Sequence, residues 1–184
     1  MNAIDRLRNS GFTMIEMMVV LVVAAVLATL VVPSFREMLA RSRLEGVASE
    51  FFTDLQYTRS EAVARNANVG LVTGAAGTCY TIYQESNPAA GACNCASVPA
   101  CTPVPPAVGP IEIKTVRFAG TGASATPNRT FLFEPVRGSL TGGATTQADL
   151  SSSAGVGQLR AEVLAIGRVK TCSPSGTIKG YPSC

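Results

Sequence analysis

The sequence predicts an α+β fold in which one long N-terminal helix, membrane-spanning in its first half, packs its second half on an antiparallel β-sheet domain with disulfide-stapled loops. Three observations predict it. Residues 12–32 form an apolar run whose only charge is Glu16. After Pro33 the apolar residues return at three- and four-residue steps. From residue 69 onward the chain reads as short strands separated by glycine, proline and serine clusters, with all six cysteines in that part.

The first half of the helix is the simplest to justify. A run of about twenty apolar residues rises far enough, at roughly 1.5 Å per residue, to cross a hydrocarbon core of about 30 Å. Arg6 and Arg8 precede it with a single Asp5, so the positive-inside bias keeps residues 1–11 cytoplasmic and sends the remainder across the membrane. A secretory signal has a shorter apolar core and a small-residue cleavage site; here the apolar stretch runs on into more helix. A plain anchor leaves Glu16 unexplained, because a carboxylate inside a span is costly without a partner.

The second half is amphipathic. Phe35, Leu39, Leu44, Val47, Ala48, Phe51, Leu55 and Ala62 make one stripe. Arg36, Glu37, Arg41, Arg43, Glu45, Glu50, Asp54, Arg59 and Glu61 fill the other positions and read as a solvated face that pairs along the helix. Termination signals in 66–70 put the end of this helix at residue 68.

Beyond it, strands are expected at 69–72, 78–84, 111–118, 130–134 and 159–166. In 78–84, Cys79, Thr81 and Tyr83 share one face and Tyr80 and Ile82 the other. Residues 86–110, rich in proline and cysteine, suit a surface excursion better than a strand or helix, and 138–157 reads as a second long loop.

Composition excludes several functions. The 184 residues allow one modest domain with a terminal appendage. Only 15% are charged while 47% are apolar, against a usual charged share of roughly 25%, so part of the protein belongs in lipid or in a buried assembly. A net charge of +3 does not call for nucleic acid across the whole surface. The absence of histidine removes the commonest general base and zinc ligand, so neither enzymatic activity nor a cofactor is expected.

Six cysteines behind an export-type N-terminus read as a disulfide framework rather than buried free thiols. They allow about fifteen complete pairings, of which a Cys93–Cys95 bridge is disfavoured because one intervening residue rarely permits the geometry. A zinc site at Cys93, Cys95 and Cys101 is the competing reading, weakened by the missing histidine and by the spacing.

The last chemical feature is Gly167-Arg168-Val169-Lys170, between the strand at 159–166 and Cys172. If the strand continues, Arg168 and Lys170 project from one face. Residues 159–184 hold four basic residues, including Lys179, and one acidic residue, Glu162. Alone, such residues are usually solvated edge charges.

Gly11-Phe12-Thr13-Met14-Ile15-Glu16 closely resembles the type III signal of type IV prepilins. The resemblance implies that a prepilin peptidase cuts after Gly11 and methylates the new amino group of Phe12. It implies also that Glu16 neutralises the Phe12 amine of a neighbouring subunit, a pairing that offsets the desolvation of both charges in an apolar bundle. Pro33 stands where pilins carry a helix-interior proline, expected to bend or locally melt the helix.

Residues 42–68, above all Leu55-Gln56-Tyr57-Thr58-Arg59-Ser60-Glu61-Ala62, resemble the GspH/FimT branch of minor pilins and pseudopilins. Gly167, Arg168 and Lys170 resemble the C-terminal motif through which FimT-type minor pilins bind DNA during natural transformation, and Lys179 is a further candidate. Many pilins also close a short C-terminal loop with a disulfide, which here implies Cys172 with Cys184; Cys79, Cys93, Cys95 and Cys101 then staple the proline-rich loop in an open order.

The implied organisation is a leader at 1–11, a transmembrane and filament-core helix at 12–33, an amphipathic helix at 34–68 and a β-rich head at 69–184 containing the loop 86–110. The implied function is that of a minor pilin of a type IV pilus, in assembly or a tip complex, that binds extracellular double-stranded DNA without sequence preference. The alternatives are a minor pilin without ligand and a minor pseudopilin of a type II secretion system. Expected partners are other major and minor pilins, the prepilin peptidase, the bacterial inner membrane and DNA; the head would sit in the periplasm and then on the extracellular pilus.

Overall fold

A threonine starts the long helix. In the computed structural model, which describes residues 12–85, 92–102, 109–176 and 178–184, the hydroxyl of Thr13 accepts a hydrogen bond from the backbone N–H of Glu16 at 3.3 Å. Thr13 and Glu16 thus occupy the first and fourth positions of a capping box, and Glu16 lies in the first turn, where the helix dipole favours an anion. The leader 1–11, with Gly11, lies outside the described residues.

Helix α1 runs from Met14 to Arg65 with Pro33 inside it. The expected local melting at Pro33 does not occur: one missing N–H removes a single bond from a long ladder, and the turns on either side hold it. The helix ends three residues before the expected boundary. Asn66 takes φ 49°, Ala67 N–H bonds the carbonyl of Ala62 and Asn66 N–H that of Val63; this 6→1 and 5→2 pair satisfies the last carbonyls.

The chain divides into two compact units, Met1–Met38 and Leu39–Cys184. In the first, the described apolar side chains of α1 are exposed, among them Val19, Val23 and Leu27, and by length and composition this helix can cross a membrane. In the second, Leu44, Ala48, Phe51, Phe52, Leu55 and Ala62 of α1 are buried.

Among the described residues ten strands follow: β1 Val69–Thr73, β2 Cys79–Gln84, β3 Ala92–Cys93, β4 Cys101–Thr102, β5 Ile111–Arg117, β6 Ala123–Thr126, β7 Thr130–Phe133, β8 Thr146–Ser152, β9 Gln158–Val163 and β10 Val169–Cys172. They form two four-stranded antiparallel sheets, ordered β5-β2-β1-β7 and β10-β9-β8-β6, and a small β3-β4 hairpin. The second sheet corrects the expectation of a single sheet, and β8 corrects that of a continuous loop over 138–157. β6 lacks bulky side chains and β8 has one apolar bulky residue, Leu150, which is fully buried; Ala123, Ala125 and Ala148 also face the core, where small residues serve because other elements supply the volume.

One core joins the helix to both sheets. Phe51 is at its centre, edge-on to Tyr80 of β2 at 5.2 Å and to Phe131 of β7 at 6.2 Å between ring centroids, an arrangement favoured by the ring quadrupoles. Tyr80 and Ile82 are therefore the helix-facing side of β2.

Two charges assigned to the solvated face are instead tied into the fold. Asp54 is 5% exposed. Its carboxylate accepts hydrogen bonds from the Tyr80 hydroxyl at 2.7 Å and from Lys114 Nζ of β5 at 2.9 and 2.7 Å. The bond to Asp54 holds the Lys114 ammonium above the ordinary lysine range, and burial, followed by the bond to Asp54, pushes the Tyr80 hydroxyl far up. Arg59 is half-buried, and its Nε donates to the Gly138 carbonyl at 2.9 Å.

The cysteines pair as Cys79–Cys95, Cys93–Cys101 and Cys172–Cys184. The first ties β2 to the proline-rich excursion, the second closes the β3-β4 hairpin and the third closes the C-terminal loop. With every thiol bonded, no thiolate donor set for zinc exists at Cys93, Cys95 and Cys101.

Candidate functional site

The basic motif lies on a hairpin rather than along one strand. The expected strand 159–166 stops at Val163, and Leu164 to Arg168 reverse the chain: Gly167 N–H bonds the Leu164 carbonyl at 2.7 Å and Leu164 N–H the Arg168 carbonyl at 2.9 Å. Gly167 carries φ +78°, and a Cβ there would collide with the carbonyl oxygen of Gly138. A turn followed by a left-handed residue is the usual three-residue hairpin connection, and here only glycine fits.

Gly138 likewise has φ +60° and lies against the Arg59 side chain. Its carbonyl thus meets Arg59 of the helix on one side and Gly167 on the other. Leu140 N–H adds a bond to the Ala165 carbonyl at 2.9 Å. Three distant stretches of chain are locked at this point.

The expectation that Arg168 and Lys170 share a face agrees with the register. Lys170 stands opposite Glu162 and Cys172 opposite Arg160, while Val169 pairs with the buried Val163. Arg168 and Lys170 flank Val169 on the outer side, roughly 6.6 Å apart along the chain, and Cys172 follows two positions on, buried. Both are exposed and line a groove of about 470 Å³ with Glu162, Cys172 and Cys184.

Arg168 also lines a second groove, of about 650 Å³, between the last turns of α1 and the hairpin turn. Gln56, Arg59, Ser60 and Val63 of the helix and Arg137 of the turn after β7 are its other main walls. Arg137 and Arg59 were not singled out as site residues from sequence; they reach Arg168 from segments 31 and 109 residues away, a proximity that no local pattern carries.

The structure does not bring Lys179 to this cluster. Its carbonyl accepts from Arg41 at 3.3 Å, whereas Arg59 marks the cluster; those helix positions are about 27 Å apart along the axis. Lys179 lines neither groove.

Most other cations near the site are neutralised. Arg65 pairs with Glu61 at 2.5 Å, and Arg160 forks onto Asp149 at 2.6 and 2.8 Å. The Asp149 bond raises the Arg160 guanidinium further above its ordinary value, as Glu61 does for Arg65. Among the described residues no ion pair engages Arg137, Arg168 or Lys170. The described residues contain no group of acidic side chains or cysteines that could hold a metal ion.

At the other end of the chain, Phe12 is 74% exposed and Glu16 is exposed. Neither has a tertiary partner within this subunit among the described residues. Pro33 is exposed too.

Comparison with known proteins matches this architecture. Residues 47–166 match the family described as type II transport protein GspH, and residues 6–32 match the prokaryotic N-terminal methylation motif. No curated protein sequence matches. Among solved structures, the Pseudomonas aeruginosa type IV minor pilin FimU superposes with TM-score 0.52 at 15% identity, covering 75% of this chain and 97% of that one. A second crystal form of FimU gives 0.50 at 14%, covering 73% and 99%. The minor pseudopilin EpsH of the Vibrio cholerae type 2 secretion system gives 0.48 at 12%, covering 72% and 98%. With the family match spanning residues 47–166 and the methylation motif ahead of it, this chain belongs to the GspH family and is a GspH/FimT-type minor pilin or pseudopilin.

Proposed function

We propose that this chain is a minor pilin of a type IV pilus that takes part in assembly or a tip complex and binds extracellular double-stranded DNA, without sequence preference, for uptake in natural transformation. The observation that carries the reading is the pair Arg168 and Lys170, outward on one hairpin and unpaired among the described residues, where two cations can meet successive backbone phosphates. Gly167 serves by closing the turn that aims Arg168. In this reading the peptidase cuts after Gly11 and methylates Phe12, and the apolar helix holds the subunit in the inner membrane with the head in the periplasm until Glu16 pairs with a neighbouring pilin's amine in the fibre. No catalytic step is assigned to the chain.

The test is duplex binding by the full-length protein in neutral detergent across a salt series. Binding should weaken linearly in log–log form with salt, with a slope of about −0.9 for each phosphate contact. Arg168→Ala with Lys170→Ala should abolish most of it; undiminished binding by that double variant would remove the DNA reading. The family description itself supports the second reading, a type II secretion pseudopilin. Genes for pilus assembly beside this one favour the first reading, and a secretion operon favours the second.

A further inference from the structure

We infer that the main phosphate seat lies not between Arg168 and Lys170 but in the larger groove between α1 and the hairpin turn, with Arg137 as a binding residue and Arg59 as a positioning residue. The inference rests on the DNA reading above and ranks its contacts.

Arg137 and Arg168 each adjoin one glycine of the lock: Arg137 precedes Gly138, and Arg168 follows Gly167. Because the Gly138 carbonyl is held by Arg59 Nε and backed against Gly167, the two exposed arginines are set side by side on one groove before any ligand arrives. The turn carrying Arg137 is further fixed by Gly138 N–H to the Glu134 carbonyl at 3.0 Å and Glu134 N–H to the Ser139 carbonyl at 2.9 Å. Such preorganisation lowers the ordering cost of binding. Two guanidinium forks suit phosphate oxygens better than a lone ammonium.

The electrostatics of the two grooves differ. Among the described residues no carboxylate lines the larger groove, whose polar walls are Gln56, Ser60 and the arginines. The smaller one contains Glu162 directly across from Lys170, at the roughly 5 Å Cβ separation of a cross-strand pair, where a carboxylate offsets the lysine's attraction for phosphate. Arg168 belongs to both.

The test is duplex binding by the full-length protein in neutral detergent, with Arg137→Ala, Lys170→Ala, Arg168→Ala, Glu162→Gln and the control Arg129→Ala. Arg129 is exposed and sits at the opposite end of β7 from the Arg137 turn, so it removes the same charge elsewhere. Arg168→Ala should weaken binding most, Arg137→Ala next, by several-fold and with the salt slope flattened by about one. Lys170→Ala should lose less than Arg137→Ala, Glu162→Gln should tighten binding, and Arg129→Ala should change little. If Arg137→Ala matches the wild type, matches Arg129→Ala, or loses less than Lys170→Ala while Arg168→Ala still fails to bind, the seat is misplaced and the DNA reading stands. If none of the basic variants alters binding, the DNA reading falls and this inference with it.

Discussion

The two halves of α1 share a backbone and differ in what covers them. From Met14 to Met38 the described apolar side chains are exposed. From Leu39 to Arg65 most of the large apolar residues gather on one stripe, and Phe51, Leu55 and Ala62 are fully buried against the sheets, while Val63 stays exposed. A residue's chemical type therefore says little about its contribution to the folded head; what matters is which solvent or surface meets it. The first half is long and apolar enough to cross a membrane, and the second packs into the chain's own core.

Substitutions along the helix can break that contrast. The largest effect is expected at Phe51→Ala, which should destabilise the head by about 3–5 kcal/mol through lost burial and a cavity. Leu27→Ala, of the same kind but 56% exposed, should leave head unfolding unchanged. Urea unfolding of the full-length protein in neutral detergent, followed by tyrosine fluorescence since the chain has no tryptophan, measures both.

Next in size is the Cys172→Ser, Cys184→Ser double variant. The bridge closes a separation of 12 residues, and a loop of that length is worth about 2–4 kcal/mol. Its loss should lower the urea midpoint of the head and leave membrane insertion unchanged.

Asp54→Ala should cost about 1–3 kcal/mol, because Lys114 and Tyr80 lose their acceptor. The figure lies below that for a fully buried pair because the Lys114 side chain is 39% exposed and screened by solvent. The smallest effect is a pH dependence. Lys114 and Tyr80 both have folded pKa values raised above their unfolded ones, so their contribution is complete below about pH 10 and is lost as pH rises through the folded values. Stability in the head should fall above pH 10, and Lys114→Met should flatten that fall.

Much of this was legible in the sequence. The apolar run 12–32, the stripe from Leu44 to Ala62, five of the strands and the Cys172–Cys184 bridge were all expected, the last through family resemblance. The misses share a cause. Strand β6 is built from alanine, serine and threonine, and β8 adds only Leu150 as a bulky apolar residue among polar and small ones, so neither shows a run of large apolar residues and their burial depends mostly on bulk contributed by other elements. Asp54 resembled its charged neighbours because nothing local distinguishes a carboxylate facing Lys114 from one facing water. The hairpin turn at Gly167 was read as continuing strand, since its positive φ answers to Gly138, a residue far away in sequence.

The candidate site divides in the same way. Arg168 and Lys170 were found because they are two apart on one segment, and strand geometry alone puts them on one face. Arg137 and Arg59 were not, because they join Arg168 only when the helix, the turn after β7 and the β9-β10 hairpin meet. Sequence by itself determined where the chain is long and apolar enough to cross a membrane, where it turns polar and where positive charge gathers at its C-terminal end, since polarity and periodicity are local. The tertiary structure decided which charges are buried, which cysteines pair and which arginines share a groove, since those depend on distances between segments that only packing brings together.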